Sequence, residues 1–134
     1  PNRKREFLEH ELALVDGTGW EDLFDVVVCG SDVEKRKPSP QMLLKAMEIL
    51  NRPPAESCWY VGDSTTDVSA AKEAGVTSLF YNGAGWDQVW LDKIFPHTVK
   101  HPHRPDAVVG SIAELTTLAR HLLAQHKRVE RARP

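Results

Sequence analysis

The chain has 134 residues, with 17 Lys and Arg against 19 Asp and Glu, and a formal net charge of -2. That length suits one domain, and 41% apolar with 27% charged residues is ordinary globular composition, which excludes disorder, collagen and coiled coil. The near-neutral balance argues against a nucleic-acid binder held by bulk charge, because such binding grows with the number of phosphates that Lys and Arg neutralise.

The longest apolar runs, such as Val26-Val27-Val28-Cys29, fall far short of the roughly 20 residues that span a bilayer. No charged-then-apolar leader opens the sequence, so a signal peptide is not expected. Cys29 and Cys58 both lie inside apolar runs. They read as buried thiols of a reducing, cytoplasmic compartment, not as a disulfide framework.

The predicted elements alternate between helix and strand. Residues 3–15 form an amphipathic helix, with Leu8, Leu12 and Val15 on one face beside Phe7, broken by Asp16-Gly17-Thr18-Gly19. Phe24 to Cys29 is a valine-rich strand closed by Gly30. Residues 40–50 are helical, with Leu43, Met47 and Leu50 on one face, Ser39 as cap and Pro40 in the first turn. Cys58-Trp59-Tyr60-Val61 is a second strand running into Gly62-Asp63-Ser64. A short helix over 66–74 stops at Gly75. Thr77 to Tyr81 is a third strand. The segment 82–105 is long and rich in Gly, Pro and His, with a short helix near 87–93. Asp106 to Val109 is a fourth strand. Ser111 and Glu114 then open the last helix as a capping box, ahead of Ile112, Leu115, Leu118 and Leu122. From Lys127 the charged tail is expected to fray.

The strands are continuous apolar runs, the pattern of strands covered on both faces in a parallel sheet. Strands separated by helices give an α/β fold with an open parallel sheet. Ligands in such sheets bind beyond the carboxyl ends of the strands. That narrows the search to Gly30, Ser31, Asp32 and Lys37 after the first strand, and to Asp63, Ser64 and Asp67 after the second.

Asp63 and Asp67 are the sharpest pair. Two carboxylates at one strand end suit Mg²⁺, which takes oxygen ligands and keeps several waters. The plainer reading is that Asp67 serves the N-terminus of its helix, where acids are favoured. Lys37 precedes Pro38-Ser39-Pro40, a stiff loop that would hold a cation in place for a phosphate. Its plainer reading is a solvated lysine in the run Lys35-Arg36-Lys37.

Taken in order, Lys37-Pro38-Ser39-Pro40, Val61-Gly62-Asp63-Ser64-Thr65-Thr66-Asp67 and Ala70-Ala71-Lys72-Glu73-Ala74-Gly75-Val76 resemble the haloacid dehalogenase superfamily. The nearest branch is that of phosphoglycolate phosphatase-like phosphatases, and the resemblance covers roughly residues 1–115. It implies a three-layer Rossmann-like core without its cap domain, in which residues 1–126 are the C-terminal part and 127–134 a charged tail. It implies an Mg²⁺-dependent phosphatase of small phosphorylated metabolites, working through an aspartyl-phosphate. By resemblance, Lys37 is the catalytic lysine that steadies nucleophile and phosphoryl group, Lys37 and Ser64 bind phosphate, and Asp63 and Asp67 hold the metal. Neither nucleic acid nor membrane is an expected partner.

The sequence also departs from the family pattern. The nucleophile belongs to an early Asp-x-Asp-Gly-Thr stretch, but in Leu14-Val15-Asp16-Gly17-Thr18 a leucine holds that place, and the stretch ends a helix. The Ser or Thr of the second motif would lie at or before Pro1. The expectation is therefore the half of the core that carries the lysine and the metal acids. Its partner would be the missing half or another copy. The alternative is a non-catalytic module that binds metal, phosphate or a protein.

Other features read as decoys. Gly83-Ala84-Gly85 hints at a dinucleotide fingerprint, but Gln88 holds the third glycine position and Asp106 begins a strand instead of ending one. His97, His101 and His103 lie in a Pro-rich loop with no Cys or acid beside them in sequence. Trp86 and Trp90 are expected to pack over the sheet.

Overall fold

The computed structural model describes residues 23–132. The predicted helix at 3–15 and the loop at Asp16-Gly17-Thr18-Gly19 lie outside the described residues. The elements in order are α1 (Gln41–Ile49), β1 (Trp59–Gly62), α2 (Thr65–Ala74), β2 (Thr77–Tyr81), α3 (Gln88–Ile94), β3 (Ala107–Val109) and α4 (Ile112–Ala132). The strands form one parallel sheet in the order β1-β2-β3. This is the α/β parallel-sheet architecture that the apolar runs and intervening helices call for.

Register determines which side chains share a face. Trp59 pairs with Thr77 and Gly62 with Phe80, so Tyr60, Gly62, Ser78 and Phe80 project to the same side. Helix α2 covers that side. Its small residues Ala70, Ala71 and Ala74 let it approach closely, and they are buried with Met42, Leu43 and Val76. Val28, Val33, Cys58 and Tyr60 pack against this cluster. Val68, from the same helix, joins Phe80, Leu91 and Phe95 in a second cluster. There Phe95 meets Phe80 edge-on with ring centroids 5.1 Å apart.

The helix ends follow from local chemistry. Asn51, with φ 54, lets Arg52 N–H reach back to Met47 C=O and Asn51 N–H to Glu48 C=O, which closes α1. Gly75, with φ 79, closes α2 in the predicted way, since glycine meets no Cβ penalty in that conformation. The start of α1 is one residue later than expected. Pro40 is the cap position, and Ser39 Oγ accepts a bond from Gln41 N–H at 3.3 Å. At α4, Ser111 Oγ accepts from Glu114 N–H, while the Glu114 carboxylate reaches Gly110 N–H. The charged tail from Lys127 continues the last helix. No Gly or Pro interrupts residues 112–132, and α4 runs on to Ala132.

One predicted element is absent. The valine-rich run 26–29 is not a strand. Cys29 is extended and fully buried, and Val28 packs on the core, but the run enters no hydrogen-bonded ladder with the sheet. Apolar content supplied burial here without adding a fourth strand to the described sheet. Gly30–Asp32 then forms a short 3-10 turn in which Asp32 accepts from Cys29 N–H at 2.8 Å. Cys29 and Cys58 are both free thiols. No helix among the described residues is long and apolar enough to cross a membrane.

Candidate active site at the carboxyl end of β1

The chain leaves β1 at Gly62, turns through Asp63 and Ser64, and enters α2 at Thr65. Ser64 caps the helix: its Oγ accepts from Asp67 N–H at 3.2 Å and lies 2.9 Å from Thr66 Oγ1. Asp67 completes the capping box, because its Oδ2 accepts from Ser64 N–H at 3.2 Å and from Asp63 N–H at 3.1 Å. The carboxylate thus folds back over the turn and lies against Gly62. A Cβ added at Gly62 would overlap the Asp67 side chain, so this position admits no side chain while Asp67 is seated.

The other oxygen, Oδ1, takes Lys37 Nζ at 2.5 Å and the Tyr60 hydroxyl at 3.1 Å. The Lys37 and Asp67 side chains are only 12% and 6% exposed, which makes this a largely desolvated ion pair. Burial pushes the Asp67 carboxyl up, but the hydrogen bonds from Lys37 and Ser64 and the Lys37 charge outweigh it, and the net shift is downward. Asp67 is therefore a carboxylate at neutral pH. Tyr60 moves the other way. Burial raises its pKa, and the adjacent Asp67 charge raises it further, so it remains a neutral donor. The Lys37-Pro38 peptide is cis.

Lys37 and Asp67, 30 positions apart, are thus in direct contact. The Asp63 backbone joins them, while its side chain is exposed at the strand end and has no hydrogen-bond partner among the described residues. Ser64 is engaged in the cap. Asp67 serves both the helix N-terminus and Lys37. Its four acceptor directions are filled by protein donors, which sets it apart from Asp63.

Sequence reasoning missed Tyr60. The signal was present: alternation along β1 puts residues 60 and 62 on one side, and a tyrosine in an otherwise apolar strand usually brings its hydroxyl to a partner.

The decoys resolve differently. His103 Nε2 meets Glu73 Oε1 at 2.8 Å, an acid that the sequence places far from it. His97 Nδ1 lies 3.0 Å from Pro102 C=O. No three His, Cys, Asp or Glu side chains cluster as a metal cage among the described residues. Trp86 stacks on Phe80 at 6.3 Å, over the sheet as expected, though both tryptophans stay partly exposed. Asn82 closes the Gly83–Gly85 turn by bonding Trp86 in both directions.

With this geometry in hand, the comparisons with known proteins are specific. Residues 2–81 match the model of the haloacid dehalogenase-like hydrolase family, and the chain belongs to that family. It is 36% identical over 89 residues to a phosphoglycolate phosphatase of Rhodobacter capsulatus, covering 66% of this chain and 38% of that protein. It is 34% identical over 95 residues to a phosphoglycolate phosphatase of Aquifex aeolicus, covering 71% and 41%. A solved HAD phosphatase from Thermococcus onnurineus superposes with a TM-score of 0.62 at 28% identity, covering 87% of this chain and 46% of that one. The chain spans less than half the length of each of these relatives. The fold is the Rossmann-like one of this family.

Proposed function

We propose that this chain supplies the charge-neutralising half of a phosphomonoesterase site acting on small phosphorylated metabolites, with residues 1–126 as the C-terminal part of its core domain. The observation that carries the reading is the desolvated Lys37–Asp67 pair, bonded into the turn that presents Asp63 beyond the end of β1. The phosphatase relatives support the substrate class.

The donor set fits Mg²⁺. That ion needs only one or two carboxylates when substrate phosphate and water complete its shell, and Asp63 is an exposed carboxylate at the strand end. Asp63 would hold the ion, and Asp67 would support the turn behind it. Bound there, Mg²⁺ would neutralise and orient phosphoryl oxygens.

The chain's own groups then divide the work. Lys37 is fixed by Asp67 and offers positive charge to the transferring group, the preorganised stabilisation that phosphoryl transfer depends on. Ser64 can donate its hydroxyl proton to a phosphate oxygen when Thr66 supplies the proton in their mutual bond. Tyr60 keeps the pair dry and in register.

None of Lys37, Asp63 and Asp67 is placed to act as the nucleophile. The 134-residue chain is expected to hydrolyse an aryl phosphate slowly even with Mg²⁺. The complete reading frame that contains it is expected to turn the ester over, with trapping of a phosphorylated aspartate. Asp63→Asn should abolish most of that turnover. A complete protein that binds Mg²⁺ and phosphate but never hydrolyses the ester would favour the non-catalytic module instead.

A further inference from the structure

The loop that carries His97, His101 and His103 is braced at four places. Arg104 Nε donates to Phe95 C=O at 3.1 Å and closes its base. His97 Nδ1 lies 3.0 Å from Pro102 C=O. At the tip, Thr98 and His101 exchange backbone N–H···O=C bonds, each of 3.1 Å, so Lys100 sits in a fixed two-residue turn. His103 then ties the loop to Glu73 on α2.

A cavity of about 870 Å³ lies between this loop and α2, within the roughly 300–1,000 Å³ of small-molecule sites. Thr65, Ser69 and Glu73 line it from α2, four residues apart and so on one helix face. Ile94, Phe95 and Pro102 give it an apolar side, and Lys93, Lys100 and His101 line it as well. Glu73 is the only acid among its described lining residues, and it is engaged with His103. Neither lysine has an ion pair among the described residues, and Lys93 Nζ stands 5.9 Å from the centroid of the Trp90 ring. In a chain of net charge -2, this cavity is lined mainly by cations. Lys37, Asp63 and Asp67 do not line it.

We propose that this cavity is a second binding site, for a small organic phosphate: a doubly charged group met by Lys93 and Lys100, on an apolar body laid against Ile94, Phe95 and Pro102. Two ammonium groups match a dianion, whereas a single carboxylate leaves one of them unmatched. The hydroxyls of Thr65 and Ser69 are further donors on the same cavity. The braced loop lowers the cost of ordering the site when the ligand arrives. The inference does not rest on the phosphatase reading, because it uses none of the residues at the strand end.

The test uses the whole ¹⁵N-labelled 134-residue chain in EDTA, which keeps metal-borne phosphate binding out of the measurement. The probes share a naphthalene body: 1-naphthylmethylphosphonate with two charges, 1-naphthylacetate with one and 1-naphthaleneethanol with none. The phosphonate is expected to shift the backbone amides of residues 65–73 and 93–103. The acetate should bind about threefold more weakly and the alcohol about tenfold. Lys93→Gln and Lys100→Gln should each weaken the phosphonate about threefold, the scale of one exposed charge pair. Glu73→Gln removes the acid and keeps an amide able to bond His103, so it should tighten the phosphonate about twofold. Partial unfolding would not produce that gain.

No phosphonate binding at millimolar concentration, equal affinity for the alcohol, or indifference to both lysine substitutions would overturn the site. So would shifts confined to the turn at 62–67 and lost in Asp63→Asn, which would put the anion at the strand end instead.

Discussion

Two lysine–aspartate pairs hold opposite edges of the sheet, and their surroundings differ. Lys37–Asp67 lies beyond the carboxyl end of β1, with side chains 12% and 6% exposed. Lys72–Asp106 lies at the other edge, where Asp106 leads into β3, with side chains 27% and 41% exposed. Asp106 also staples the adjoining strands, exchanging bonds with Ser78: Ser78 N–H donates to Oδ2 at 2.7 Å, and Asp106 N–H donates to Ser78 C=O at 2.8 Å. Both carboxyls are shifted upward by burial and then further downward by their lysines and hydrogen bonds. The exposed pair aligns strands in contact with water. The buried pair keeps a charge fixed where water is scarce, and electrostatic effects there are larger. One chemical pairing thus serves register at one edge and a candidate reaction site at the other.

The comparison is broken most severely at Asp67. Asp67→Ala removes four hydrogen bonds, among them the charge-assisted one from Lys37. We expect a loss of about 3–5 kcal/mol, read as a large drop in thermal midpoint. A loss below about 1 kcal/mol would mean the pair is solvated like a surface one.

Asp63 should separate stability from activity. Asp63→Asn touches no side-chain partner among the described residues, so unfolding should change by less than about 0.5 kcal/mol. Turnover of the complete protein should nevertheless fall about a hundredfold or more, the scale of a few kcal/mol of metal-borne charge stabilisation. Parallel losses of stability and turnover would show that Asp63 is structural.

Acid should act on both edges in the same direction. A carboxyl whose pKa is lower folded than unfolded binds fewer protons in the native state, so its stabilisation is complete above its unfolded pKa, about 4, and is lost as pH falls further. The thermal midpoint should therefore hold from neutrality down to about pH 4 and drop below it. The drop should be shallower in Asp67→Asn, which has no such carboxyl at that position. An identical acid limb in both proteins would remove Asp67 from the account.

The smallest effect is expected at Lys72. Lys72→Ala should cost less than about 1 kcal/mol, with the cost shrinking as salt is raised, because exposed pairs are screened. A larger, salt-independent loss would place that edge in the same class as the Lys37–Asp67 corner.

Several of these features were legible before any coordinates. The runs read as strands at 58–62, 77–81 and 107–109, with helices between them, specify a parallel sheet. The position of Lys37, Asp63 and Asp67 just after predicted strands marks one candidate site. Gly75 announces the end of α2 by its residue type alone. Other features were not legible. Val26 to Cys29 has the composition of a strand, yet among the described residues it is buried without joining the sheet, and apolar composition alone does not separate those two outcomes. Nothing local brings His103 to Glu73 or Lys72 to Asp106, since each pair is joined only when distant segments pack.

The sequence by itself determined the class of fold, the order of its elements and the residue types gathered at one strand end, because periodicity, caps and turn residues act over a few neighbours. Only the tertiary structure decided how the two acids divide. Asp67 is held by Lys37, Tyr60 and two backbone amides, and Asp63 faces outward. That division depends on which donors the packed helix, strand and loop bring within hydrogen-bonding distance of one carboxylate. Distances of about 3 Å between segments remote in sequence are set by packing, and no local pattern encodes them.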